Sequence, residues 1–306
     1  MTVRPAAASK EPGVGVIGTG AMGGGVVQSL VRAGIATSAR DILGEAQARA
    51  VRHGAVGRAS PADLARACDV VIVLVVDAAQ VETVLFGTDG VVSAGARDRI
   101  VLVSSTVDPL YLKDLAPRLG DAGIALLDAP VSGGPAKATA GTMTMMVSGD
   151  PVALDRVRGI LERIADPVFA LGSRAGDAST FKIVNNLLAG ANLAAAAEAL
   201  ALAHAAGLDL AQVRDVVNVS SGGSWIFADR IARALHNDLQ PRAAVKLLAK
   251  DVAIAARLAA RLQVDAPFSK LASFAFESAV AAGHGEADDA VLLRLAVDAA
   301  RKPLGS

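Results

Sequence analysis

The sequence predicts a doubly wound α/β domain followed by an all-helical domain. Three observations predict it. Short β-branched runs recur between helical patterns over residues 13 to about 170, only helical periodicity follows Gly176, and a glycine-rich turn joins the first run to the first helix.

The elements are expected in this order. Residues 14–17, 70–76, 100–103 and 124–127 are continuous apolar runs, as strands of a parallel sheet covered on both faces require. A further pair, 144–148 and 167–171, flanks a helical stretch with an acidic start over 152–164. One long helix is expected over 179–204, ending before Gly207. Helices over 210–220, 226–235, 245–262, 267–282 and 288–301 follow. The expected division is a loose tail over 1–12, a dinucleotide-binding domain over 13–175 and a helical domain for substrate and oligomerisation over 176–306. Residues 187–197 are almost all apolar, yet this segment is too short to span a bilayer of roughly 20 residues. Lys182 and Glu198 bracket it. It reads as a buried core helix that also meets a second subunit.

Composition narrows the function classes. With 30 basic and 30 acidic residues the formal net charge is zero, which disfavours a nucleic-acid or membrane-surface partner. Aromatics are 3 % of the chain, so closely packed Ala-rich helices must supply much of the core. Cys68 stands alone and reads as a small buried residue. His53, His204, His236 and His284 are scattered, so no metal site is expected. The first twelve residues have too little apolar length for a signal peptide, and a cytoplasmic enzyme is the expectation.

The glycine turn Gly18-Thr19-Gly20-Ala21-Met22-Gly23 follows an apolar strand and opens a helix. Gly18 permits the tight turn, Gly20 lets the backbone approach a pyrophosphate, and Gly23 lets helix and strand pack closely. The N–H groups at the helix start then hold the phosphates. Gly24 and Gly25 read as packing residues. Asp41 lies 18 residues past Gly23. A carboxylate there accepts hydrogen bonds from the adenosine ribose and repels a 2′-phosphate, which favours NAD over NADP. Arg40 is the contrary feature, because an arginine nearby accommodates that phosphate.

Hydride chemistry also needs a group that moves the hydroxyl proton. Lys182, Asn185 and Asn186 share one helical face, which continues through the apolar Ala189 and Leu193. A cation and two amides are costly to bury there without a purpose.

At this point the chain resembles the β-hydroxyacid dehydrogenases, the family of 3-hydroxyisobutyrate dehydrogenase and tartronate semialdehyde reductase, related to 6-phosphogluconate dehydrogenase. The resemblance covers roughly residues 13 to 300. It rests on the glycine turn, Ser104-Ser105-Thr106, Asp128-Ala129-Pro130-Val131-Ser132-Gly133-Gly134, Lys182 to Asn186, and Lys250-Asp251. It implies a Rossmann-type domain followed by an all-α domain, as in 6-phosphogluconate dehydrogenase. It implies Lys182 as the catalytic lysine that takes the hydroxyl proton and Asn186 as the amide that orients the substrate. Ser132, Gly133 and Gly134 are implied to grip the substrate carboxylate, where two glycines let N–H groups converge on an anion. Thr106, Val75, Val76 and Lys250 are implied to contact the cofactor. The chain departs from the family at Ala178, where glycine is common, at Val76, where Pro or Ser is usual, and at Arg40, which replaces an aromatic residue.

Within the family, residues 75–87 and Ala189-Gly190 look most like L-threonate dehydrogenases, which implies a four-carbon sugar acid. The alternatives are 3-hydroxyisobutyrate, glycerate and tartronate semialdehyde. Ser221 to Trp225 and the region of Phe227 are expected to shape the pocket, with Trp225 equally assignable to the core. Imine reductases resemble this architecture, but their proton donor is typically not a lysine at this position. A non-catalytic cofactor reader would have no need of Lys182 or Ser132, and a methyltransferase none of the helical half. The apolar C-terminal helices suggest a homodimer or homotetramer.

Overall fold

In a computed structural model the described residues are 13–238 and 240–300. The tail expected over 1–12 lies outside them, as do Leu239 and the last six residues. Two compact units divide after Thr180.

Among the described residues the first unit holds nine strands: β1 (Val14–Ile17), β2 (Thr37–Arg40), β3 (Val56–Gly57), β4 (Val70–Val73), β5 (Arg99–Val103), β6 (Ile124–Asp128), β7 (Val131–Ser132), β8 (Met143–Gly149) and β9 (Ala165–Ala170). Its helices are α1 (Ala21–Arg32), α2 (Gly44–Arg52), α3 (Pro61–Ala67), α4 (Ala78–Phe86), α5 (Pro109–Asp121), α6 (Gly134–Ala140) and α7 (Pro151–Ile164). The sheet order is β3-β2-β1-β4-β5-β6-β8-β7, with β9 beside β8. The first six strands are parallel, and the order reverses between β1 and β4, where such sheets bind ligands beyond their strand ends.

Both sheet faces are covered. Val14, Val16, Ile72 and Leu102 face a core shared with α1 and α7, while Ile17, Val71, Val73 and Val103 face one shared with α3, α4 and α5. Two expectations need correcting here. The sheet is mixed, because β8 runs antiparallel to β6 and β7. The run over 70–76 leaves the sheet after Val73, since the Val75 N–H turns to the Ser105 hydroxyl at 2.9 Å.

The second unit is helical: α8 (Asp177–Ala205, which starts in the first unit), α9 (Leu210–Asn218), α10 (Trp225–Leu235), α11 (Val245–Arg261), α12 (Pro267–Ala279) and α13 (Val291–Ala300). Leu193, Ala196, Leu200, Ile231, Val252 and Phe276 form its core. Of the segment expected as a buried core helix, Leu193, Ala196 and Ala197 are buried, but Leu188 is exposed and continues a stripe with Phe181 and Val184, each more than half exposed. By length and composition alone α8 is also apolar enough to cross a membrane. α12 is shorter than expected, giving way at Val280 to a π-turn kinked at Gly283. The last helix starts at Val291 rather than Asp288, because the Asp288 carboxylate accepts from the N–H groups of Ala290, Arg242 and Ala243.

Candidate active site

The glycine turn lies at the reversal of strand order. Gly18 has φ of 89°, and a Cβ there would lie 2.3 Å from the Leu74 carbonyl oxygen. At Gly23 a Cβ would lie 1.8 Å from the Gly18 carbonyl oxygen. Both positions therefore demand glycine. At Gly20 a Cβ would meet nothing within 4 Å, so this glycine leaves an open approach to the backbone. No side chain caps α1, whose first N–H groups have no intrahelical partner. That open, uncapped helix start fits a dinucleotide pyrophosphate. Gly25 is a packing residue, since a Cβ there would strike Ala138 of α6 at 2.7 Å.

Asp41 is buried just beyond β2. Its Oδ2 accepts from the Thr19 N–H at 2.6 Å and the Thr19 hydroxyl at 3.3 Å, and its Oδ1 accepts from the Leu43 N–H at 2.8 Å. The carboxylate thus faces the glycine turn itself. Arg40 is tied into the same corner, donating to the Asp41 carbonyl at 2.7 Å and to Gln47 Oε1 at 3.2 Å. Val75 is half-buried, Val76 is exposed, and Thr106 follows β5.

Ser132 ends β7, and Gly133 and Gly134 follow at φ of 127° and 75°. Side chains rarely adopt these conformations, and a Cβ on Gly133 would lie 2.7 Å from the Lys137 side chain, whereas one on Gly134 would meet open space. Asp128, at its root, carries a duty the sequence reading missed. It is wholly buried, and it accepts from the Ser179 hydroxyl at 2.6 Å, the Ser179 N–H at 2.8 Å and the Gly176 N–H at 3.0 Å. Ser148, opposite Asp128 in the sheet, donates to it at 3.4 Å and accepts from the Ala178 N–H at 2.9 Å. Burial pushes the Asp128 carboxyl above its ordinary pKa, against the hydrogen bonds that hold it down. The departure at Ala178 lies at a fully buried position of the same turn.

In the second unit, α8 and α11 bring four polar groups together. A Cβ on Gly190 would lie 2.4 Å from Val252, so glycine allows the two helices their close approach. Ile183 and Leu187 pack on Ile254 and Leu258 in the same seam. Asn186 donates from Nδ2 to Asp251 Oδ2 at 2.7 Å, and Lys250 Nζ donates to Asp251 Oδ1 at 2.7 Å. Asp251 thereby fixes which way the Asn186 amide points. Its signal was the Lys250-Asp251 pair, read only as a family match. Lys182, one turn before Asn186, is buried and makes no hydrogen bond or ion pair among the described residues. Burial pulls its ammonium below the ordinary lysine value; Asp251 opposes that and Lys250 reinforces it. Asn185 does not join the group: it is exposed, and its amide donates to Asn186 Oδ1 at 3.0 Å. Trp225 is no core residue, with 75 % of its surface exposed, whereas Phe227 is buried in the core and lines no open surface.

Comparison with known proteins identifies the family. Residues 13–172 match the family described as the NAD binding domain of 6-phosphogluconate dehydrogenase. Residues 176–296 match that described as NAD-binding of NADP-dependent 3-hydroxyisobutyrate dehydrogenase. The L-threonate dehydrogenase of Cupriavidus necator is 43 % identical, over 92 % of this chain and 95 % of that one. The 2-hydroxy-3-oxopropionate reductase of Escherichia coli is 30 % identical, over 92 % and 96 %. A crystal structure of 3-hydroxyisobutyrate dehydrogenase from Salmonella typhimurium superposes with a TM-score of 0.84 at 40 % identity, covering 92 % of this chain and 99 % of that one. With both halves matched by the family's models and a relative 43 % identical over most of its length, this chain belongs to the 3-hydroxyisobutyrate dehydrogenase-like family of β-hydroxyacid dehydrogenases.

Proposed function

We propose that the chain oxidises a small hydroxy acid of the L-threonate class with NAD, Lys182 taking the proton of the substrate hydroxyl. The observation that carries this reading is Lys182 itself. A lysine at its ordinary pKa of about 10.4 is a poor base at neutral pH, and burial lowers that value here. That shift favours the neutral form relative to an exposed lysine, and a general base needs that form.

NAD, when bound, would supply the acceptor for the hydride that leaves the carbinol carbon. Gly20, Ala21 and Met22 would hold its pyrophosphate on the open helix start, with Gly18, Thr19 and Gly23 shaping the turn. Asp41 would accept from its ribose, and Val75, Val76, Thr106 and Lys250 are proposed further cofactor contacts. Ser132, with the main chain of Gly133 and Gly134, would bind the substrate carboxylate. Asn186, held by Asp251, would orient the hydroxyl towards Lys182.

The L-threonate assignment is supported by the 43 % identical Cupriavidus enzyme, while the 30 % identical reductase marks 2-hydroxy-3-oxopropionate as the alternative. A panel of L-threonate, D-glycerate and 3-hydroxyisobutyrate, each assayed with NAD and NADP, tests the reading. It expects the highest kcat/KM with L-threonate and NAD; turnover of none of the three would refute it. We also propose that the enzyme is a soluble, cytoplasmic homodimer or homotetramer, residues 176–306 supplying the substrate and subunit contacts. The exposed stripe of Phe181, Val184 and Leu188 supports this, being apolar surface that a second copy would cover.

A further inference from the structure

The end of β2 does more than the ribose reading asks of it. The Arg40 carbonyl accepts from the Gly18 N–H at 2.9 Å, and Asp41 Oδ2 accepts from the next N–H, that of Thr19, at 2.6 Å. The first two N–H groups of the glycine turn are thus taken up by the protein, and the open stretch begins at Gly20. A carboxylate offers roughly four acceptor positions. Three of those on Asp41 are filled by the Thr19 N–H, the Thr19 hydroxyl and the Leu43 N–H. The corner is braced further by Gln47 Oε1, which accepts from the Asp41 N–H at 3.0 Å and from Arg40 at 3.2 Å. Thr19 is 2 % exposed, so solvent does not substitute for the carboxylate there.

We propose that Asp41 is a positioning residue for the phosphate-binding turn, clamping Thr19 so that Gly20 to Met22 face the pyrophosphate, and that it has a single acceptor position left, on Oδ1, for one ribose hydroxyl. This rests on the reading that NAD binds the glycine turn, and it goes further. A residue that only read the ribose would, when replaced, cost NAD affinity and admit NADP. A residue that also sets the turn costs phosphate binding itself, so replacing Asp41 does not by itself create an NADP enzyme.

The test compares the full-length wild type, Asp41→Ala and Asp41→Asn, with unfolding temperatures recorded for each. NADH and NADPH are titrated by fluorescence, and adenosine and ADP by displacement of NADH. The informative quantity is the affinity gained from adenosine to ADP, which reports the phosphates and is insensitive to ribose contacts that both ligands share. Loss of a charge-assisted bond to the turn is expected to reduce that gain about tenfold in Asp41→Ala. Asp41→Asn, whose amide oxygen still accepts from Thr19, is expected to keep the gain within about threefold by the same scale. NADPH affinity is expected to rise in neither variant. An undiminished gain in Asp41→Ala, or NADPH binding that improves as NADH binding falls, would overturn the proposal. If Asp41→Ala does not fold, the Thr19 amide proton decides between wild type and Asp41→Asn. An upfield move on loss of the charged acceptor is expected, and an unchanged resonance overturns the proposal. Should the wild type bind no NADH, the functional reading fails and takes this proposal with it; every other adverse result fails the proposal alone.

Discussion

Asp128 offers the sharpest structural perturbation. Its Oδ2 accepts two main-chain N–H groups, from Gly176 and Ser179, while its Oδ1 accepts the Ser179 hydroxyl. Asp128→Ala leaves these donors buried without an acceptor. At roughly 1–3 kcal/mol for each donor that finds no substitute, partly offset by removing a buried charge, the cost is about 4 kcal/mol. For a domain of this size that is a fall in Tm of about 8–16 °C. Asp128→Asn should behave differently. Its oxygen can take the Oδ2 position and keep both N–H groups, while its NH2 donates to a Ser179 hydroxyl turned to accept. We therefore expect a loss of about 1 kcal/mol or less. Calorimetric unfolding of the three proteins checks this; equal losses for Ala and Asn, or a drop of less than about 2 °C for Ala, would refute the reasoning. A pH series adds a sign. Because burial raises the Asp128 pKa in the folded state, its protonation favours the fold. That contribution is complete below the unfolded value and disappears as pH rises through the folded one. Wild type should thus gain on Asp128→Asn as pH falls from neutral towards 4, as the general carboxylate range dictates for about that interval.

Two further predictions follow from the same geometry. Gly20→Ala should leave Tm unchanged within about 1 °C and weaken NADH binding, because its Cβ meets only open space that the pyrophosphate would use. Gly23→Ala should lose both, with a Cβ driven to 1.8 Å from a main-chain oxygen; a stable Gly23→Ala that binds NADH would contradict the turn as described. In the second unit, the pH profile of hydroxy-acid oxidation should rise through the Lys182 pKa and shift oppositely in two variants. Lys250→Gln removes a charge that lowers that pKa and should move the profile up; Asp251→Asn removes one that raises it and should move it down. Shifts of the same sign would show that these neighbours do not set the lysine's protonation.

The features legible in the sequence are those whose physical cause is local. The glycine fingerprint could be read because its spacing is local, and Gly23 is required by the carbonyl oxygen of Gly18 only five residues before it, although what demands Gly18 is the distant Leu74. The long helical pattern that became α8 could be read from its lack of proline and from Gly207 beyond it. What stayed hidden depends on partners distant in the chain. Asp128 finds its donors 20 to 51 residues away, so nothing beside it announces a buried anchor. The antiparallel placement of β8 is a matter of strand direction, which apolar runs do not encode. Positions three and four after Lys182 both lie near its face, and only the approach of α11 separates the buried Asn186 from the exposed Asn185. The apolar stripe of Phe181, Val184 and Leu188 looks the same whether its own chain or another covers it.

The central claim is that Lys182 moves the substrate proton. It is tested most directly by measuring NADH binding and steady-state hydroxy-acid oxidation for wild type and Lys182→Ala side by side. The account expects NADH affinity within about twofold of wild type, because the glycine turn is untouched, and a kcat lower by about 10²–10⁴, the usual worth of a general base. A variant that turns over within about tenfold of wild type while binding NADH normally would contradict it.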